Sequence, residues 1–347
     1  MRTLALGAAI LCGAACIPSE PYWWIQDARM LGTRMLVVEP GGYSTLLQVP
    51  PGQRRATALP LDTVEIEWLV AATEDVEIQP PIWLACTRGG CIEAYYNRGH
   101  GILDCPQPLP FDIPWACRLG EGHKIRVGFA GAFTLSPEFY YAGLSIMAIG
   151  SRTPDVSSQT CLERYGTTPH AGLEQCLIGR DIHIPGPLWA VLPFAPELAE
   201  LPVDFIAQPP DTHPDVVGFR VSRELGAERI ELLAEPDDTV LVAPGERVTV
   251  LPLFVGGGAQ DYIENSVDAD GDGPEEPMPV MRTEFLEINA QLTALVDQFN
   301  APNRADPEAE IEWVVSDHPE PMTMFVSVRD NRAGRGFARL HFDSTTR

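Results

Sequence analysis

The chain has 347 residues, enough for about two domains with real cores, and 45% of them are hydrophobic against 21% charged. A formal net charge of −24 argues against nucleic acid or an anionic lipid surface as partner, since both need a basic footprint. Proline and glycine, at 33 and 30 residues, punctuate short alternating apolar runs and favour a mainly β chain over a helical one.

Residues 1–15 read as an export leader. Arg2 supplies one positive charge, Leu4 to Leu11 an apolar run, and Gly13-Ala14-Ala15 the small residues before Cys16. The run is too short to span a bilayer, and no later stretch approaches the ~20 apolar residues of a membrane helix. These residues resemble the leader of bacterial lipoproteins, although Gly13 stands where leucine is usual. The resemblance implies that Cys16 is lipidated and becomes the mature N-terminus. With Ile17 rather than aspartate next, it implies the outer membrane, facing the periplasm or the surface. The other reading is cleavage after Ala15 without a lipid.

Residues 16–27 read as a tether, with Pro18 and Pro21 around Tyr22-Trp23-Trp24. A first β domain is expected over 28–154. Its strands are predicted at Arg34 to Val38, at Val64 to Val70, at Ile82 to Cys86, at Lys124 to Phe129 and at Gly143 to Ile149. In the second of these, Val64, Ile66, Trp68 and Val70 alternate with Glu65 and Glu67, the period of a sheet with one dry and one wet face. A Cys- and Pro-rich connection follows over 155–214, partly helical at Ser158 to Tyr165 and Ala171 to Leu177. The second domain is expected over 215–347. A strand at Thr323 to Val328, a turn at Asp330-Asn331-Arg332-Ala333-Gly334 and a closing strand at Phe337 to Phe342 end it. A long insertion near 256–310 interrupts it, and Glu284 to Phe299 there reads as a helix or an irregular strand pair.

The second domain restarts the pattern of the first. Leu59-Pro60-Leu61-Asp62 leads into the strand at Val64, and Ala243-Pro244-Gly245-Glu246 into one at Val248. Each follows a Gly-x-Arg strand, Gly32-Thr33-Arg34 and Gly218-Phe219-Arg220. The Pro-Gly-Glu turn and the closing Val-x-Val-Arg-Asp-Asn-x-x-Gly hairpin resemble bacterial immunoglobulin-like and PKD-like modules, and the whole is similar to uncharacterised envelope lipoproteins. The resemblance implies a mainly β chain of two immunoglobulin-like β-sandwich domains in tandem; it specifies architecture and not activity.

Two cysteines, Cys12 and Cys16, belong to the leader. The other six are Cys86, Cys91, Cys105, Cys117, Cys161 and Cys176, and an even number in an exported chain reads as disulfides. Six cysteines allow 15 pairings. Near-neighbour closure would give Cys86–Cys91, Cys105–Cys117 and Cys161–Cys176, of which only the last pair stands apart from the others. A zinc site from the first four lacks the tight C-x2-C spacing such sites use.

One motif carries chemistry. Asp268-Ala269-Asp270-Gly271-Asp272-Gly273 places oxygen ligands at positions one, three and five and glycine at six, as in the first half of a calcium loop. Pro274 would offer its carbonyl, and Glu275, Glu276 or Glu264 would complete the shell, because Pro279 holds the place of the usual final glutamate. The other reading is a solvated acidic loop. No G-x-S-x-G, H-E-x-x-H or Walker loop occurs, and no catalytic residue stands out.

These readings converge on a non-catalytic cell-envelope lipoprotein. It would be a structural or adhesive module for a protein or glycan, held to the membrane only by its lipid, with calcium as the one candidate cofactor. The competing class is a periplasmic or surface hydrolase whose carboxylates converge in the cleft between the domains.

Overall fold

The computed structural model describes residues 21–73, 76–87, 91, 102–111, 113, 115–131, 143–166, 172–183, 185–194, 196, 199, 207–266, 278–301 and 310–344. Within them the chain is mainly β. It is made of mostly antiparallel sheets with one delimited α-helix and no closed barrel.

Seven strands form the first half: β1 (Arg29–Glu39), β2 (Thr63–Ala71), β3 (Ile82–Thr87), β4 (Cys117–Glu121), β5 (Lys124–Gly128), β6 (Leu144–Ser151) and β7 (Cys176–His183). They make two sheets, ordered β1-β2-β5 and β4-β3-β6-β7. Between the sheets lies a common core. Met35, Val64, Ile66 and Val127 meet Trp83, Ala85, Ile146, Ala148 and Leu177 there. Val64, Ile66 and Trp68 are buried as their alternation predicts. Glu67 faces the other way but is buried too, because Arg34 (2.6 Å) and Lys124 (2.9 Å) close over its carboxylate. The strands expected at 124–129 and 143–149 lie in different sheets, β5 beside β2 and β6 beside β3.

The stretch expected as a connection adds structure to this half. Helix α1 (Ser158–Tyr165) is capped by the Ser157 side chain, which accepts from the Thr160 amide at 3.0 Å. Its Cys161 and Leu162 cover Ile82, Leu84, Met147 and Ile149 on the outer face of the second sheet. β7 then pairs along the whole of β6. The six downstream cysteines close as near neighbours, Cys86–Cys91, Cys105–Cys117 and Cys161–Cys176.

The second half holds β8 (Val216–Leu225), β9 (Glu228–Ala234), β10 (Thr239–Val242), β11 (Arg247–Phe254), β12 (Asp261–Ser266), β13 (Met278–Thr283), β14 (Glu287–Leu292), β15 (Asp297–Asn300), β16 (Ile311–Val314), β17 (Met322–Arg329) and β18 (Arg335–Ser344). One sheet runs β15-β16-β11-β8-β9 and the other β10-β18-β17-β14. β10 joins β18 in parallel. Trp313, Phe219, Val248 and Val250 from the first sheet pack on Ile288, Met324, Leu340 and Phe342 from the other. The stretch 284–299 supplies strands β14 and β15, one to each sheet. β12 and β13 form a separate two-stranded ribbon.

The internal repeat marks equivalent positions in the two halves. Arg34 sits opposite Glu67 across β1 and β2, and Arg220 opposite Leu251 across β8 and β11. Ile66 faces Ile125 of β5, and Val250 faces Ile311 of β16. The turns before β2 and β11 also correspond. Asp62 N–H donates to the Leu59 carbonyl at 3.1 Å, as Glu246 N–H does to Ala243 at 3.1 Å. The third turn residue has positive φ in both, +68° at Leu61 and +73° at Gly245, which with proline before it is a type II turn.

The halves are joined by more than a linker. Ile25 and Ala71 pack with Phe325, and Leu31 and Phe337 border them. Residues 23–25 run in parallel against β14: Ile25 N–H donates to the Leu292 carbonyl (2.8 Å) and Leu292 N–H to that of Trp23 (2.8 Å). Trp23 also lies against Phe299, ring centres 4.7 Å apart. The two tryptophans of the expected tether therefore dock on the second half.

Candidate functional site

The linker 207–215 is clasped between the halves. Prolines 209, 210 and 214 bias it toward an extended course, which suits pairing with another backbone. On one side it pairs with 54–56: Ala56 N–H donates to the Asp211 carbonyl and His213 N–H to that of Arg54, each at 2.8 Å. Asp215 accepts from Arg54 (2.7 and 2.5 Å) and from Arg34 (3.3 Å). On the other side lies the β17–β18 hairpin. His213 accepts the Arg335 amide at Nδ1 (3.0 Å), so its Nε2 carries the proton and donates to the Met35 carbonyl (2.8 Å). That single ring ties β1, the linker and β18 together.

The approach of hairpin and linker is close enough to require glycine twice. A side chain at Gly336 would run into the Pro214 carbonyl, and one at Gly334 into the Asp330 carboxylate and the Thr212 carbonyl. The hairpin turn is shaped by Asp330. Its Oδ1 accepts from the amides of Arg332 (2.8 Å) and Gly334 (2.9 Å), the local bonding that makes aspartate a turn residue.

Three carboxylates meet at this crossing: Asp211 of the linker, Glu284 just after β13, and Asp330. One oxygen from each lies within 4.8 Å of the others. They are 0%, 4% and 7% exposed. Glu284 accepts from Arg332 at 3.1 Å and from the Gln260 amide at 3.0 Å. Arg332 also donates to the Pro209 carbonyl (2.7 Å), and Gln260 Oε1 accepts the Thr212 amide (2.9 Å). Among the described residues, neither oxygen of Asp211 nor Oδ2 of Asp330 accepts a hydrogen bond of good geometry, although the Ala333 amide approaches both carboxyl groups.

Burial disfavours these charges, and they also disfavour one another. Burial, then the charge of Asp330, holds the Asp211 carboxyl well above the usual carboxylate range. The same two causes push Glu284 up to about 7. Asp330 is raised by burial, partly offset by the amides it accepts from.

Two cavities flank the hairpin. One of about 280 Å³ is lined by Asp211, Arg332, Leu188, Gln208 and Tyr262 among others. The other, about 450 Å³, is lined by Asp181, His183, Asp330 and Arg335 with their neighbours. Asp181 accepts from Thr33 through both its amide (2.8 Å) and its hydroxyl (2.6 Å), and pairs with Arg335. His183 is buried, and burial depresses its pKa to about 4.

The expected calcium ligands Asp268, Asp270, Asp272, Pro274, Glu275 and Glu276 lie outside the described residues, as does Cys16. The strands that lead into and out of that loop are β12 and β13. Glu264 on β12 is half-exposed and pairs with Arg282 of β13 at 3.1 Å. Sequence reasoning missed Asp211, Glu284 and Asp330 as a group. They come from segments more than forty residues apart, and no local spacing connects them. The one available signal was the Asp330 turn, which reads as a turn whatever else it holds.

The chain matches no known protein family and is similar in sequence to no curated protein.

Proposed function

We propose that this protein is a non-catalytic cell-envelope lipoprotein: two immunoglobulin-like sandwiches in tandem, anchored through Cys16, that bind a protein or glycan of the envelope. The observation that carries the binding role is the free edge of the five-stranded sheet. β9 pairs only with β8 among the described strands, and it leaves Ile230 and Leu233 exposed, Leu233 at 73%. An uncovered edge with apolar side chains suits addition of a partner strand. The three disulfides and the absence of any membrane-length apolar helix among the described residues agree with export. The non-catalytic reading rests on the carboxylates: they are buried and turned on one another, whereas an acid pair for glycoside cleavage flanks its substrate about 5 Å or more apart.

Two measurements test this. Labelled palmitate should be incorporated and lost in Cys16→Ala; a label that persists in the variant removes the anchor. Cross-linking of the full chain in envelopes should capture a partner that Leu233→Lys no longer captures, with the fold unchanged by circular dichroism.

The second reading is a hydrolase. Asp211 and Arg332 line a cavity beside Glu284, whose pKa is about 7, a value suited to proton transfer at neutral pH. Turnover of glycan or peptide substrates that disappears in Glu284→Gln would favour it over binding.

A further inference from the structure

We infer that Asp211, Glu284 and Asp330 form a binding site for a divalent cation of the hard, oxygen-preferring class, calcium foremost, that fastens the linker and the β13 end to the β17–β18 hairpin. This site shares no residue with the acidic stretch 268–276 and does not depend on the binding role proposed above.

Three features point to the ion. The first is the geometry: three carboxylate oxygens from three distant segments lie within 4.8 Å of one another. The second is the state of the carboxylates. Asp211 is fully buried, and neither its oxygens nor Asp330 Oδ2 accepts a hydrogen bond of good geometry, although the Ala333 amide approaches both carboxyl groups. Buried polar groups are nearly always satisfied, so an exception asks for a missing partner. A cation is the partner that answers all three carboxylates at once. Arg332 bonds Glu284 and the Pro209 carbonyl; its charge also acts on Asp211 and Asp330, so one guanidinium is shared among three carboxyl groups. The third feature is the donor set. It contains no nitrogen or sulfur, so softer metals have no preference for it, whereas calcium takes about six to eight oxygens in an adaptable shell. The Thr212 carbonyl is a further oxygen at hand. It and Asp330 Oδ2 both face the space that Gly334 leaves by having no side chain. Glu284 already accepts one hydrogen bond on each oxygen and has lone pairs left for an ion.

The test uses the full mature chain, stripped with chelator and titrated with calcium chloride by calorimetry. The wild type should bind calcium, and Asp211→Asn and Asp330→Asn should each bind one ion fewer per chain. Asp270→Ala should retain that ion. Asparagine keeps the shape of each side chain, and in chelator both variants should melt above the wild type, because a buried charge is removed. Their melting temperatures should then be unmoved by the calcium that the cluster would have bound. A wild type that binds no calcium overturns the site. So does an undiminished stoichiometry in both asparagine variants, or a single ion that vanishes in Asp270→Ala.

Discussion

The two halves share six strands in one arrangement, yet they are held together by different means. β1, β2, β3, β5, β6 and β7 correspond to β8, β11, β14, β16, β17 and β18 in sheet and in order. The first half adds β4, α1, a covered outer face and three disulfides. Among its described residues the second has none of these; it adds β9, β10, β12, β13 and β15, and carries two of the three carboxylates. One scaffold has thus been reinforced covalently on one side. On the other it depends on strand number and on what happens at the junction. The difference shows that the register of a sandwich is set by its turns and pleats, while its reinforcement is free to vary.

The equivalent turns offer the sharpest test of that likeness. Asp62 is buried and accepts from the amides of Gly41 (2.6 Å) and Leu59 (2.7 Å), from the Ser44 hydroxyl (2.6 Å) and from Arg55. Asp62→Ala leaves a buried guanidinium without its counter-charge and should cost about 4 to 5 kcal/mol. Glu246 does the same work with fewer partners, the Ala243 amide and Arg223, each at 2.9 Å. Glu246→Ala should therefore cost less, about 3 kcal/mol. Urea unfolding measures both; equal costs, or the reverse order, would break the correspondence of the turns.

Disulfide removal should separate the halves. The Cys161–Cys176 bond closes 15 residues, worth about 3 kcal/mol on loop entropy. In Cys161→Ala/Cys176→Ala, amide exchange should accelerate in β3, β6 and β7 and stay slow in β11, β17 and β18. Uniform acceleration would mean that the junction makes the halves a single cooperative unit.

Acid should loosen the junction through its histidines. Burial depresses His213 and His183 to about 4 from an ordinary 6.5. Both are neutral when folded, and the unfolded chain takes up their protons first. Their contribution is complete above about pH 6.5 and is lost as pH falls toward 4, by about 2 kcal/mol each at pH 5. For His213 protonation also has a visible structural consequence: a proton on Nδ1 removes the acceptor for the Arg335 amide. His213→Gln, weaker at pH 7, should lose less between pH 7 and pH 5 than the wild type. An unchanged slope would remove His213 as the acid-sensitive link.

The smallest effect concerns the turn itself. A Cβ at Gly245 would touch nothing, and its φ is +73°. Gly245→Ala should cost only the backbone term, about 1 kcal/mol. Leu61 already bears that strain at +68° in the first half.

Much of this frame was legible in the sequence because its signals are local. Pro60 and Pro244, each followed two residues later by an acid, mark turns whose hydrogen bonds close within four residues. The alternation from Val64 to Trp68 follows from the pleat. Burial of Glu67 was not legible, since it depends on Arg34 and Lys124 arriving from two other strands. The carboxylate cluster was still less so. Asp211 reads as one polar residue among prolines, Glu284 as part of an insertion, and Asp330 as a turn former. Only the crossing of linker and hairpin brings them together, and no periodicity encodes that crossing.

The pairing of residues 23–25 with β14 has a mechanical consequence. A pull on the amino terminus does not enter β1 directly. It first loads the Trp23 and Ile25 hydrogen bonds to Leu292. The bridge is parallel and lies on β14, so the load falls on a strand of the second half before it reaches the first. The amino-terminal segment is thus fastened to the more distant half before the chain enters the nearer one, so these bonds must part before a pull reaches β1.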